Sequence, residues 1–175
     1  ALLNNNEEKV KEVYKREKII NNLEQEITDY LVLLSSHELP EKDSKILSAT
    51  FHVINDIERI GDHAENIADM AIEKMNKEIS FGEEATEEVE LMYKKTLEAL
   101  TLAIESYRNE DSVSAKNISV IEEGIDKYEK KLRNNNIKRL NGKLCNANSS
   151  TMFLDLISNL ERIGDHSNNI AEAIM

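Results

Sequence analysis

Glu58-Arg59-Ile60-Gly61-Asp62-His63 returns unchanged as Glu161-Arg162-Ile163-Gly164-Asp165-His166. A shift of 103 residues carries one hexapeptide onto the other, and the same shift carries Asn66-Ile67-Ala68 onto Asn169-Ile170-Ala171. Helix period alone would repeat apolar positions; it would not repeat Glu, Arg, Asp and His. The chain therefore reads as two copies of one unit. Further upstream, a shift of 105 sets Glu17-Lys18-Ile19-Ile20-Asn21 against Glu122-Glu123-Gly124-Ile125-Asp126, and Glu24 against Glu129. The two-residue difference falls in the turn between the paired helices, where insertions are easily tolerated.

Each unit is helical. Val10, Val13, Ile20, Leu23, Ile27, Leu31 and Leu34 recur mainly at three and four residues, which predicts a helix from about Glu7 to Ser36. A turn around Pro40 separates it from a second helix, about Glu41 to Lys77, and Phe81-Gly82 ends that pattern. A third helix is expected over about Glu83 to Arg108. A fourth follows Asp111 as N-cap and stops near Asn141-Gly142, and a fifth is capped within Asn148 to Thr151. No stretch alternates with period two for long enough to make a strand. The expected fold is all-α, an antiparallel helical bundle, because long helices joined by short turns pack side by side.

The repeat divides the chain into residues 1–80, with two helices, and 81–175, with three. Carried back to the start, the 105-residue shift sets Ala1-Leu2-Leu3 against the last turn of the third helix. Asn4-Asn5-Asn6 then falls on the turn Asn109-Glu110-Asp111. The first unit thus lacks its first helix, and its stripes (Val13, Ile20, Ile27, Val53, Ile60, Ile67) lack part of their cover. A neighbouring molecule, a helix exchange or repacking on the second unit is expected to fill the gap, since a buried Val, Leu or Ile is worth ~1.5–3 kcal/mol.

Composition narrows the function. Pro occurs once and Gly five times in 175 residues, which suits long helices. A net charge of −12 repels phosphate backbones, so nucleic acid is not an expected partner, and it opposes docking on anionic lipid through a basic face. Cys145 is the only cysteine, so neither a disulfide framework nor a thiolate zinc site can form within one chain. The longest aliphatic run, near Leu31-Val32-Leu33-Leu34, is far short of the ~20 residues of a membrane span. Because the chain opens at Ala1, it is expected to be a piece of something longer.

The acids carry the chemistry. Residues at i and i+4 share a helix face with Cβ atoms about 5–6 Å apart. Glu58 and Asp62 therefore point the same way, as do Glu161 and Asp165, and Glu122 and Asp126. Glu65 and Asp69 continue the first stripe; Asn168 and Glu172 continue the second. Glu17 stands with Asn21, where an amide replaces the second carboxylate. Most such acids on a helical protein are simply solvated, and Arg59 and Arg162 could neutralise their neighbours. Repetition of the pairs on two helices of each unit favours a second use, the joint binding of a multivalent cation. His63 and His166 lie five positions after the Glu, well around the helix, which favours supporting or surface roles over ligation. Gly61 and Gly164 permit close approach of another helix or a ligand.

The motifs Asn55-Asp56-Ile57-Glu58-Arg59-Ile60-Gly61-Asp62-His63-Ala64-Glu65-Asn66-Ile67-Ala68 and Ser158-Asn159-Leu160-Glu161-Arg162-Ile163-Gly164-Asp165-His166 resemble the repeated signature of the PhoU-like domains, over essentially the whole chain. That resemblance implies two three-helix bundles and a non-catalytic regulatory role in phosphate transport. It also implies multinuclear metal clusters, of iron or of zinc, manganese, magnesium or calcium through oxygen ligands. Carried over residue by residue, the ligands would be Glu17, Glu58 and Asp62 in the first unit, and Glu122, Asp126, Glu161 and Asp165 in the second. Asn21 departs from the family's paired acids and leaves the first site one carboxylate short. Asp29-Tyr30-Leu31-Val32-Leu33-Leu34-Ser35 and Asn159-Leu160-Glu161-Arg162 look most like the cytosolic C-terminal domain of sodium/phosphate cotransporter-related proteins. The implied setting is cytoplasmic, at the inner face of a membrane. The implied partner is a phosphate transporter or an upstream membrane domain of the same chain, with self-association as a further option. Two alternatives remain: a carboxylate-bridged di-metal redox protein of ferritin-like type, for which the required Glu-x-x-His pairs are missing, and a metal-free helical adaptor, which would leave the repeated acids unexplained.

Overall fold

The computed structural model describes residues 2–174. Five helices follow one another: α1 (Glu7–Ser35), α2 (Glu41–Asn76), α3 (Glu83–Asn109), α4 (Ser112–Asn141) and α5 (Ala147–Glu172). No strand occurs among the described residues. Polar side chains start three of the helices by accepting otherwise unpaired backbone N–H groups. Asn6 takes Lys9 N, Asp111 takes Val113 N and Ser114 N, and Asn146 takes Ser149 N. The cap of α5 thus lies two residues before the expected stretch, because Asn146 is the residue whose Oδ1 reaches an amide of the first turn. Gly142 caps α4 with φ −77°, and the left-handed conformation falls instead on Lys143 (φ 57°).

The repeat is visible in the backbone. Asn5 and Glu110, related by the 105-residue shift, are both left-handed (φ 49° and 51°), and each precedes the N-cap of the next helix. Residues 2–5 form a turn that matches the end of α3. Ala1, which the sequence sets in the same turn, lies outside the described residues. Ile20 of α1 lies 3.5 Å from where a Cβ on Gly61 of α2 would be, and Ile125 of α4 lies 3.1 Å from the same point on Gly164 of α5. The motif glycines therefore serve helix packing, each seating the isoleucine of its own unit's other helix.

Helices α3, α4 and α5 pack on one another; α2 packs on α1 and α5; α1 packs on α2 alone among the described residues. One core joins the units: Leu2, Val10, Ala68 and Ala71 of the first share it with Val89, Met92, Phe153 and Leu156 of the second. A smaller one sets Val53 against Ala103, Ile118 and Ile170. The first unit is thus repacked on the second at one end. At the other end it stays open. Ile27 is 40 % exposed where its counterpart Leu132 is fully buried, and Ile57 is 41 % exposed where Leu160 is 4 %. The difference is α3, which packs on α4 and α5 and has no counterpart on α1 and α2 among the described residues.

Gly124 sits inside α4 with nothing within 4 Å of an added Cβ. Gly124→Ala is therefore expected to stabilise the protein by about 0.5–1 kcal/mol in urea unfolding, because glycine weakens a helix interior without serving a contact here. Gly164→Ala gains the same propensity, but Ile125 must yield, so its expected net effect is near zero.

Candidate metal centre

α4 and α5 lie side by side in the second unit, and their carboxylate faces meet. Glu122 and Asp126, one turn apart on α4, and Asp165 on α5 each offer an oxygen, and these atoms all lie within 4.8 Å of one another. All three residues are partly buried. Asp126 Oδ1 is buried and has no hydrogen-bond partner among the described residues. The nearest cation to this acid is Lys130, whose Nζ stands 3.9 Å from the carboxylate. A cavity of about 340 Å³ opens beside the cluster, lined by Glu122, Arg162, Asp165, His166, Asn168 and Asn169. Glu161, one turn before Asp165 on α5, stays outside the close triad. It still senses the cluster: burial, then Asp165, Asp126 and Glu129, push its carboxyl from 4.5 up to about 7. Burial and Asp126 also raise Glu122, as burial and Asp126 raise Asp165.

The first unit is arranged differently. Glu17 is buried on α1 and accepts a hydrogen bond from the Asn21 amide. Arg59 reaches both acids of its own motif, Glu58 at 3.6 Å and Asp62 at 3.2 Å. Among the described residues no close triad forms there. The acids nevertheless face one another across α1 and α2. Burial, then Asp62, Glu24 and Glu17, raise Glu58 against the pull of Arg59. Glu65 is raised by burial, then by Glu17, Asp69 and Asp62. Tyr14 donates to Asp69 Oδ1 at 2.5 Å, and that bond leads the push of its hydroxyl up to about 12. Two features that the residue types already offered thus separate the units: the Asn21 amide satisfies Glu17, and Arg59 bridges Glu58 and Asp62.

The histidines join the units. His63 Nδ1 on α2 stands 2.9 Å from Asn159 Oδ1 on α5, and His166 Nδ1 on α5 stands 2.8 Å from Asp56 Oδ1 on α2. Their rings stack with centroids 5.6 Å apart. Asp56 and Asn159 stand within the wider motifs but outside the identical hexapeptides, so their role as histidine partners was not marked by the identity. The 103-residue shift pairs them, and that was the available signal.

A raised carboxyl binds its proton more tightly in the folded than in the unfolded chain. For Glu161 the folded state holds the extra proton between about pH 4.5 and 7, so stability falls as pH rises through that window. Without metal, acidification from pH 8 to 5 is expected to stabilise the protein by about 1–2 kcal/mol at this group, after allowing for solvent screening. Glu161→Gln should flatten the profile, and thermal unfolding across pH checks it.

The family model for the PhoU domain matches residues 1–71 and 89–174. The chain is similar to the phosphate-specific transport system accessory protein PhoU homolog 1 of Thermotoga maritima, at 27 % identity over 97 % of this chain and 73 % of that protein. The PhoU homolog of Clostridium acetobutylicum is 26 % identical over 99 % of this chain and 78 % of its own length. In fold the chain is similar to crystal structures of PhoU from Pseudomonas aeruginosa, with a TM-score of 0.92 at 22 % identity. A second match is the phosphate transport system regulatory protein PhoU from Streptococcus pneumoniae, at 0.84 and 24 %. Both alignments cover 99 % of this chain, and 82 % and 81 % of those chains.

Proposed function

The chain belongs to the PhoU domain family, and on that footing we propose that it is a non-catalytic regulator of phosphate transport whose second unit binds hard cations through Glu122, Asp126 and Asp165, with Glu161 as a further ligand. Glu17, Glu58 and Asp62 form the weaker candidate site of the first unit. The observation that carries the reading is Asp126 Oδ1, a buried carboxylate oxygen without a partner inside a cluster of acids. Such an atom is costly unless something positive meets it. The donors are all oxygen, which suits iron, manganese, magnesium, calcium or zinc. When bound, a cation would supply the missing positive charge and fasten α4 to α5. Ser119, which donates to Asn168 Oδ1 at 2.9 Å, already ties the same two helices beside it.

The functional units proposed are residues 1–80 and 81–175, one site in each. The partner proposed is a membrane phosphate transporter, or a membrane domain of the same chain if it follows the sodium/phosphate cotransporter branch. This would place the domain in the cytoplasm at the membrane's inner face. No helix among the described residues is long and apolar enough to cross a membrane itself.

In cells deprived of their own PhoU-family regulator, this chain is expected to restore phosphate-dependent control of uptake, and Asp126→Asn is expected to fail. Restoration undiminished by that substitution would detach metal from function. Phosphate esters and nucleotides should show no saturable turnover; robust turnover that vanishes with Glu161→Ala would overturn the non-catalytic reading.

A further inference from the structure

We propose that Asp56, on α2 of the first unit, is a positioning residue for the cation site of the second unit, acting through His166 on Asp165. The inference rests on the metal-binding reading and adds a cross-unit dependence to it.

Asp56 is 6 % exposed and lies on the seam where α2 crosses α5. Its Oδ1 accepts two hydrogen bonds from α5, from His166 Nδ1 at 2.8 Å and Asn169 Nδ2 at 3.1 Å. A carboxylate oxygen can only accept, so the proton sits on Nδ1 and the ring orientation is fixed. The 103-residue shift turns this brace into a second one pointing the other way. There Asn159 Oδ1 on α5 takes His63 Nδ1 at 2.9 Å and Asn66 Nδ2 at 3.3 Å. Asn159 uses its own amide on Asp155 O, which leaves its oxygen as acceptor. Each unit therefore supplies the anchor for the histidine next to the other unit's aspartate.

The two braces are unequal. The anchor serving the second unit is a buried carboxylate, and the anchor serving the first is a neutral amide. The charged anchor stands behind the site whose acids converge, while Arg59 already occupies the acids of the other. Geometry explains why an anchor matters. Glu122 and Asp126 come from α4, but Asp165 comes from α5, so the triad depends on how α5 is turned. At a helix radius of about 5–6 Å, a 10° rotation moves a side chain by roughly 1 Å, beyond the ~0.5 Å a ligand set tolerates. The bond from His166 to Asp56 opposes that rotation one residue from Asp165. Outer partners that hold a ligand in place commonly change metal affinity 10- to 100-fold.

Manganese(II) alone is the probe, titrated calorimetrically in a Glu58→Gln background so that binding reports the second unit. Asp56→Ala is expected to weaken that binding about tenfold or more. Asp56→Asn, which keeps the acceptor oxygen as Asn159 does, should recover most of it. Asn159→Ala should leave it within about twofold, although Asn159 shares α5 with Asp165. A merely structural role for the seam predicts equal losses from Asp56→Ala and Asn159→Ala, and that result would overturn the proposal, as would no loss from Asp56→Ala. If Asp56→Ala does not fold, the ring variants decide. His166→Asn keeps a donor in the Nδ1 position and should bind; His166→Phe should bind about tenfold less, and equal binding by both overturns the proposal. Failure of the Glu58→Gln protein itself to bind manganese is the separate outcome that removes the metal-site reading, and this inference with it.

Discussion

Asp165→Ala should abolish cation binding in the second unit while leaving the first largely intact, with affinity at the altered site falling at least about 100-fold, roughly 3 kcal/mol. The close triad has three members, and Asp165 is the only one from α5, so its loss removes both charge and the link between helices. Elemental analysis and calorimetric titration measure the loss. Equal loss from both units would count against two independent sites. The same substitution should act oppositely on the metal-free protein. Burial and Asp126 hold the Asp165 carboxyl above its ordinary range, so its charge opposes folding at neutral pH. Asp165→Ala should therefore raise the melting temperature without metal and lower it in saturating metal. A substitution that lowered both alike would mean the carboxylate serves packing rather than a cation.

Leu132→Ala should destabilise the protein by about 2–5 kcal/mol, the cost of an emptied site in a packed core. Ile27→Ala, at the equivalent place in the first unit, should cost less than about 1 kcal/mol. The 105-residue shift superposes the two positions, yet Leu132 is fully buried under α3 and Ile27 is 40 % exposed. Urea unfolding of both variants reads the difference directly. Equal costs would mean that another helix or another molecule covers α1 and α2 in solution, and sedimentation of the unmodified protein would then find the partner.

Much of this was legible in the residues. The period of three and four in Val10 through Leu34 gives α1 its length, and Phe81-Gly82 ends the pattern where the chain passes from α2 to α3. The repeated hexapeptide locates the paired acids of α2 and α5, the i, i+4 spacing locates those of α4, and three of the four second-unit candidates do converge. What escaped depends on tertiary contact. Arg59 and Arg162 are identical in sequence context, but among the described residues only Arg59 pairs with acids of its own motif. Side-chain direction on a helix leaves more than one acid within reach, and packing decides. The partners of His63 and His166 required knowing that α2 crosses α5. Glu161 illustrates the limit of spacing: i, i+4 places it beside Asp165 but cannot say which of the two reaches across to α4.

The most direct test of the central claim is anomalous scattering from crystals grown with manganese or iron, recorded above and below the metal edge. A site in the second unit predicts a peak between α4 and α5, within coordination reach of Glu122, Asp126 and Asp165, that disappears in Asp126→Asn. Crystals of equal quality with no peak there, and ions scattered instead over the exposed acids of other helix faces, would contradict it.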